Sequence, residues 1–342
     1  MKVTRALRIA QIEYELPARV VSNRDFALQF PEWSMAALEE KSGIRGRHIA
    51  GDNETAFDLA REASRRLLAR AGFQGRDVDG IVFCTQTPDY IMPSNAFLLH
   101  EALGMRRDAL AFDYNLACSG YVYGLAIIQG LVETGLAERV LLVTADTYSK
   151  YINERDRAAR TLFGDGAAAT LVEAAGADSL SGLIDVALAS AGESHRFFLV
   201  PAGGARTPRS EETRAETTDE SGNTRSLENI HMNGFAVWRF VATEVPKQIA
   251  QLLARNGLGV KDIDLYVFHQ ASKLTLDSLI AALRIPREKV FINMECVGNT
   301  VSASIPIALA DAAACGVLER GHLVLLSGFG VGLSWASALM RY

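Results

Sequence analysis

Basic charge is in short supply in this sequence, cysteine is scarcer, and long apolar runs are missing. Against 40 acidic residues stand 35 lysines and arginines, giving a net charge of −5, so the electrostatic footprint of a nucleic-acid binder is absent. The four cysteines, Cys84, Cys118, Cys296 and Cys315, form no CxxC pair. That excludes a zinc ribbon or a dithiol redox motif, and no metal site is expected. No stretch approaches the ~18 uninterrupted apolar residues that a membrane-spanning helix needs. The opening segment, MKVTRALRIAQIEYELP, carries no apolar run of the signal-peptide kind. A reducing cytoplasm with free thiols is the expected setting, with neither membrane nor nucleic acid as partner.

What is present reads as a globular chain. Hydrophobic residues make up 49% and charged residues 22% of 342 residues, enough for a large core or two domains. Short apolar runs at 80–85 (GIVFCT), 111–116 (AFDYNL) and 140–144 (VLLVT) read as strands. Before and between them, 55–71, 95–103 and 120–134 read as helices. In the first helix Leu59, Ala63, Leu67 and Ala71 recur every fourth residue and make one apolar stripe. The rhythm repeats later: helix at 234–256, strand at 264–268, helices at 273–283 and 302–314, and strand at 323–326. Such alternation predicts an α/β fold, and the repeated rhythm suggests an ancient duplication. Between the halves, residues 203–227 (GGARTPRSEETRAETTDESGNTRSL) are dense in charge, Thr and Ser. They read as an exposed, mobile excursion or as a lid over a substrate entrance.

Three segments carry chemistry-bearing side chains. In NLACSGY a strand runs through a small-residue turn into a helix, placing Cys118 near the positive end of the helix dipole. That position favours a thiolate and offers backbone N–H groups to a developing oxyanion; the plainer reading is a buried structural cysteine. In VFHQAS a strand delivers His269 at its C-terminal end, where open α/β sheets place functional groups; a buried structural histidine is the alternative. In ECVGNTVS, Asn299 offers a carboxamide after the turn at Gly298, and helix capping is its plain alternative. Two glycine-rich turns, FGDG (163–166) and GFGVG (328–332), fit neither GxxxxGK[ST] nor a complete dinucleotide fingerprint. Loops presenting backbone N–H groups to a reacting carbonyl explain them better.

Together these segments resemble β-ketoacyl-acyl carrier protein synthase III, of the thiolase superfamily. The likeness runs from GIRGRHIA (43–50) through LACSG, FGDGAAA, FHQAS and VGNTVSAS to the closing GFGVGLSWASALMRY, in family order. The resemblance implies a five-layer αβαβα fold of two related halves, 1–175 and 176–342, usually as a homodimer. It implies an acyltransferase in which Cys118 takes an acyl group from coenzyme A or a carrier protein. His269 and Asn299 would then serve decarboxylative condensation with a malonyl thioester. Backbone N–H groups of Cys118 and Val331 would form the oxyanion hole, and no metal or redox cofactor is implied. Arg157 falls near the coenzyme A entrance, Arg239 near a carrier-protein docking site, and Met92 where one subunit reaches its partner's acyl pocket. Ser272 and Phe329 fall among the substrate-binding positions. The family's HQAN is HQAS here, Leu274 stands where an arginine follows, and Trp33 lies four residues from the adenine-stacking position, which Ala37 occupies. These departures suit a specialised relative, in secondary metabolism or a modification pathway, as well as the fatty-acid enzyme. Transfer from Cys118 to an oxygen, nitrogen or other carbon acceptor is the alternative reaction. The order Cys, His, Asn also occurs in papain-like proteases, but ACSGY is not their local signature.

Overall fold

The computed structural model describes residues 7–176 and 181–342. Residues 1–6 and 177–180 lie outside it, and with them the start of the opening segment and the residues following the expected 175/176 boundary. The elements that place the site are β1 (Leu7–Glu15), α1 (Ala56–Ala71), β2 (Gly80–Cys84), α2 (Asn95–Ala102), β3 (Leu110–Tyr114) and α3 (Gly120–Glu133). They continue as β4 (Arg139–Asp146), β5 (Gly166–Ala174), β6 (Gly182–Ser190), α4 (Gly234–Arg255), β7 (Leu265–Phe268) and α5 (Lys273–Leu283). The chain ends with α6 (Ser304–Ala314), β8 (Leu323–Gly330) and β9 (Ser334–Arg341).

Two sheets run through the molecule. The first has five strands in the order β1-β5-β4-β2-β3, and the second has four in the order β6-β9-β8-β7. Their pairings match term by term. In each, an early strand lies antiparallel to a late one, which lies antiparallel to a third, and parallel pairing follows. Where the second sheet would carry a fifth strand, only the parallel bridge Tyr266–Val290 remains.

Strand alternation assigns the layers. On β2, Ile81 and Phe83 pack with Leu59, Ala63 and Leu67 of α1 and with Leu99 of α2. Val82, between them, points the other way, into a core shared with Leu125 and Ile128 of α3 and Ile305 and Leu309 of α6, as the two-residue side-chain period of a strand requires. The far side of that core is closed by Val267 of β7 and Val324 and Leu326 of β8. Tyr266 and Phe268 face outward against Val245 and Ile249 of α4 and Leu276 of α5. The result is helix, sheet, helix pair, sheet, helix: the expected five layers.

Helix ends follow local chemistry. Thr55 caps α1 through its hydroxyl, and Asp58 returns a carboxylate to the Thr55 N–H at 3.1 Å, a capping box. Gly72 closes the helix at φ 73°. The polar stretch 203–227 is more structured than an open excursion. It contains a short helix (Glu211–Arg214) and a small hairpin of Thr217–Thr218 with Thr224–Arg225. The buried Asp156 carboxylate anchors it by accepting from Arg225 Nε at 2.5 Å and from its Nη2 at 3.0 Å. No helix among the described residues is long and apolar enough to cross a membrane.

Candidate active site

Cys118 sits in the turn between β3 and α3, two residues before the helix begins. Strand β8 passes directly over it. A Cβ on Gly328 would fall 2.3 Å from the Cys118 carbonyl oxygen, and one on Gly330 would fall 2.9 Å from its sulfur. Two of the three glycines of GFGVG are therefore not in the turn that their composition suggested; Gly332 alone lies in the turn between β8 and β9. Gly328 and Gly330 extend the strand past Leu326, and lacking side chains they let its backbone ride over the nucleophile.

His269 follows β7 and continues its ladder by donating its N–H to Ser327 O at 2.8 Å. Its Nδ1 lies 2.6 Å from Ser304 Oγ at the start of α6, and its ring meets Phe329 edge-on at 5.6 Å. The Ser304 oxygen also accepts, at a long 3.4 Å, from the Gln270 N–H. Among the described residues no other acceptor for the Ser304 proton is in range, so that proton points at Nδ1. The imidazole proton then resides on Nε2, which makes His269 a hydrogen-bond donor. Burial holds its pKa down at about 3, so the ring is neutral across the physiological range.

Asn299 is held by its own loop. Its Oδ1 accepts from the Val301 N–H at 3.0 Å, which fixes the amide with Nδ2 as the donating end; one Nδ2–H reaches Ala271 O at a long 3.4 Å, and the other is left for a ligand. Val301 takes φ 54° to make this bond, a strained setting for a β-branched residue. Helix capping is not its role, because α6 begins at Ser304. The Asn299 backbone is clipped to FGDG, donating N–H to Leu162 O and accepting from the Gly164 N–H, each at 3.0 Å. Asp165 of the same motif accepts from the Ala50 N–H at 2.8 Å and the Ser149 N–H at 3.0 Å. FGDG thus fastens the Asn299 loop to the first half rather than presenting N–H groups to a substrate.

Cys118, His269 and Asn299 line one cavity of about 170 Å³, with Ser272 and Phe329 also in its wall. The thiol is only 4% exposed, and burial, then the neighbouring Asp146 carboxylate, push its pKa up. This corrects the expectation of a thiolate. A helix terminus contributes at most ~2 kcal/mol, whereas full burial can shift a group by ~3–5 pKa units. Burial wins, and Cys118 rests as a thiol. Asp146 is itself fully buried, accepts from Ser302 Oγ at 2.5 Å and from the Gln86 N–H at 2.8 Å, and is raised by burial to about 7.

Ser272 caps α5 by accepting from the Thr275 N–H at 3.3 Å. Val331 lines a second, adjoining cavity. Arg157, Arg239 and Met92 line neither cavity. Arg157 donates to Ser221 O at 3.0 Å, Arg239 is exposed on α4, and Met92 is 80% exposed. Trp33 stacks on Phe30 at 4.1 Å in a buried cluster and has no face free for an adenine. Trp238, not singled out from the sequence, lines the Cys118 cavity and donates Nε1–H to Ser278 Oγ at 3.1 Å. Ser304 was also missed, although its place five residues after Asn299, within VSAS, was the available signal. Among the described residues no cluster of His, Cys, Asp or Glu could hold a metal.

Comparison with known proteins points to one family and fold. Residues 112–192 match the family model for 3-oxoacyl-[acyl-carrier-protein] synthase III, and 253–342 match the model for its C-terminal part. The β-ketoacyl-[acyl-carrier-protein] synthase III of Symbiobacterium thermophilum is 36% identical over 342 residues, covering 100% of this chain and 99% of the relative. A solved 3-oxoacyl-(acyl-carrier-protein) synthase III superposes with a TM-score of 0.96 at 44% identity, covering 98% of this chain and 100% of the other. That from Pseudomonas aeruginosa gives 0.86 at 36% identity, covering 99% and 98%. With full-length identity at this level and all five layers in common, the chain belongs to the 3-oxoacyl-[acyl-carrier-protein] synthase III family of thiolase-fold acyltransferases.

Proposed function

We propose that the chain condenses an acyl group held on Cys118 with a malonyl thioester, releasing carbon dioxide and a β-ketoacyl product. The observation that carries this reading is the convergence of one thiol and two neutral donors on a single cavity. In the first half-reaction the Cys118 sulfur attacks the donor thioester, a new thioester forms, and the thiol proton leaves on the departing thiol. Backbone N–H groups of Cys118 and Val331 serve as the oxyanion hole. In the second, the malonyl carboxylate departs as carbon dioxide and its bonding pair becomes an enolate. Nε2–H of His269 and Nδ2–H of Asn299 donate to the enolate oxygen, and the enolate carbon displaces the Cys118 sulfur, which regains a proton. Removing one such donor costs roughly 2.7–4 kcal/mol in transition-state stabilisation.

Acyl-coenzyme A and malonyl-acyl carrier protein are the substrates proposed, with no metal or redox cofactor. Arg157 is assigned to the coenzyme A entrance and Arg239 to carrier-protein docking. Met92, on its exposed loop, is assigned to the acyl pocket of a second subunit in a cytoplasmic homodimer. The test is incubation with acyl-coenzyme A and malonyl-carrier protein, followed by intact-protein mass and carbon dioxide release. Wild type should show an acyl adduct that Cys118→Ala lacks, and carbon dioxide in step with product. An adduct persisting in Cys118→Ala would refute the nucleophile.

A further inference from the structure

Next to the Cys118 cavity lies a larger one of about 550 Å³. The two share Phe198 as a common wall, and Tyr148, in the larger cavity, belongs to the same buried cluster as Cys118. On the reading of Cys118 as acyl acceptor, on which this inference rests, the larger cavity is the space open to the acyl group. Even with Met92 of a second subunit entering it, as proposed above, a two-carbon group would leave part of it empty.

Its wall is not a hydrocarbon slot. Tyr148 donates its hydroxyl to Gln86 Oε1 at 2.5 Å, and Gln86 Nε2 donates to Asn115 Oδ1 at 2.7 Å. All three residues line the cavity. The chain is anchored at its middle and at one end: the Gln86 N–H is held by Asp146 at 2.8 Å, and the Tyr148 ring packs on Phe163 and Phe198 at 5.3 and 6.4 Å, while Asn115 at the other end is exposed. Burial keeps the phenol protonated. Because the chain runs in one direction, its unused capacity can be counted. One Gln86 N–H and the Tyr148 oxygen lone pair find no further partner among the described residues, nor do the two N–H groups of Asn115, which face solvent until an acyl group covers them. A plain alkyl chain would cover these groups and leave them unpaired, whereas a polar substituent would satisfy them.

We infer that the acyl group loaded onto Cys118 is bulky and bears a hydroxyl or amino substituent that hydrogen-bonds to the Tyr148–Gln86–Asn115 chain. A site built to hydrogen-bond a substituent discriminates strongly against the analogue that lacks it.

The test uses the full chain and matched coenzyme A thioesters: octanoyl against 3-hydroxyoctanoyl, benzoyl against 4-hydroxybenzoyl, and acetyl. Acylation of Cys118 is read as kcat/KM for coenzyme A release and as the mass of the intact protein. The hydroxylated member of at least one pair should exceed both its plain partner and acetyl by about tenfold or more. In Gln86→Leu and in Tyr148→Phe that ratio should collapse toward one. The ratio is taken within each enzyme, so a general loss of activity cancels. Tyr148→Phe removes a single oxygen and gives the same readout should Gln86→Leu fail to fold. Equal or better use of the plain thioesters by wild type, or a ratio that survives both substitutions, overturns the inference. Absence of any Cys118 adduct with every thioester overturns the proposed function itself, and the inference with it.

Discussion

Gly330 approaches Cys118 so closely that a Cβ added to it would stand 2.9 Å from the sulfur and 3.0 Å from the Cys118 Cβ. The contact is between a strand of the second half and the nucleophile of the first, so any side chain on Gly330 must displace the thiol or the strand. Gly330→Ala is expected to cost about 1–3 kcal/mol of stability, the usual penalty of overpacking. It should reduce acylation of Cys118 far more than that loss explains. Denaturant unfolding and single-turnover acylation of the same preparation check both; an alanine enzyme that acylates at the wild-type rate would show that the approach is not tight.

The Ser304 proton sets the tautomer of His269, and that assignment can be tested without substrate. Nitrogen-15 chemical shifts of His269 should identify Nε2 as the protonated nitrogen in wild type. Ser304→Ala should mix the tautomers and slow malonyl decarboxylation by about 10- to 100-fold, the range known for loss of the residue that orients a metal-bound histidine. Acylation of Cys118 should change much less, because the imidazole acts on the second substrate. A wild-type spectrum with the proton on Nδ1 would reverse the assignment.

Burial of two titratable groups near Cys118 gives stability a pH signature. His269 has a folded pKa of about 3 against an ordinary value of 6.5, so the fold favours its neutral form. The stability this contributes is full above pH 6.5 and is lost as the pH falls from there toward 3. Asp146 acts in the opposite sense. Its folded value of about 7 exceeds the ordinary 3.8, so its contribution is present in acid and is lost as the pH rises from about 4 through 7. Thermal unfolding of wild type and His269→Gln at pH 7, 5.5 and 4 isolates the first effect: the wild type should lose ground to the variant as the pH falls. A gap that stays constant over that range would mean that His269 titrates normally.

Much of the fold was legible because its local signals agree. The α1 stripe of Leu59, Ala63 and Leu67 faces the sheet, and helix 273–283 has the bounds read from the sequence. Strand β8 was read short because glycine in a pattern ordinarily marks a turn; here Gly328 and Gly330 answer to Cys118, a neighbour remote in sequence. Trp33 illustrates the converse. Its residue type suggested a ligand face, but Phe30 stacks on the ring, Phe26 lies tilted beside it, and the residue is buried. The convergence of Cys118, His269 and Asn299 was legible through motif resemblance. The resting state of the thiol was not, because desolvation depends on packing that no local segment encodes.

A buried ion pair, beside hydrogen bonds from Arg157 to Ser221 O and from the Ala158 N–H to Asn223 Oδ1, holds the polar stretch 203–227 over the larger cavity. Asp156 is almost fully buried, and the side chain of its partner Arg225 is 16% exposed. Gly203, Gly204 and Arg209 of the same stretch line the cavity. Removing one partner leaves the other charge buried and uncompensated, which typically costs about 3–5 kcal/mol. Because Arg225 also reaches Asp219 at 3.0 Å, Arg225→Met would free two carboxylates at once, whereas Asp156→Asn would leave Arg225 one acceptor. Arg225→Met is therefore expected to be the more destabilising of the two. It should also raise amide hydrogen exchange across the described hairpin while leaving β2 and β4 protected. Equal exchange in the hairpin and the central sheet would mean that the pair supports the whole fold rather than this stretch.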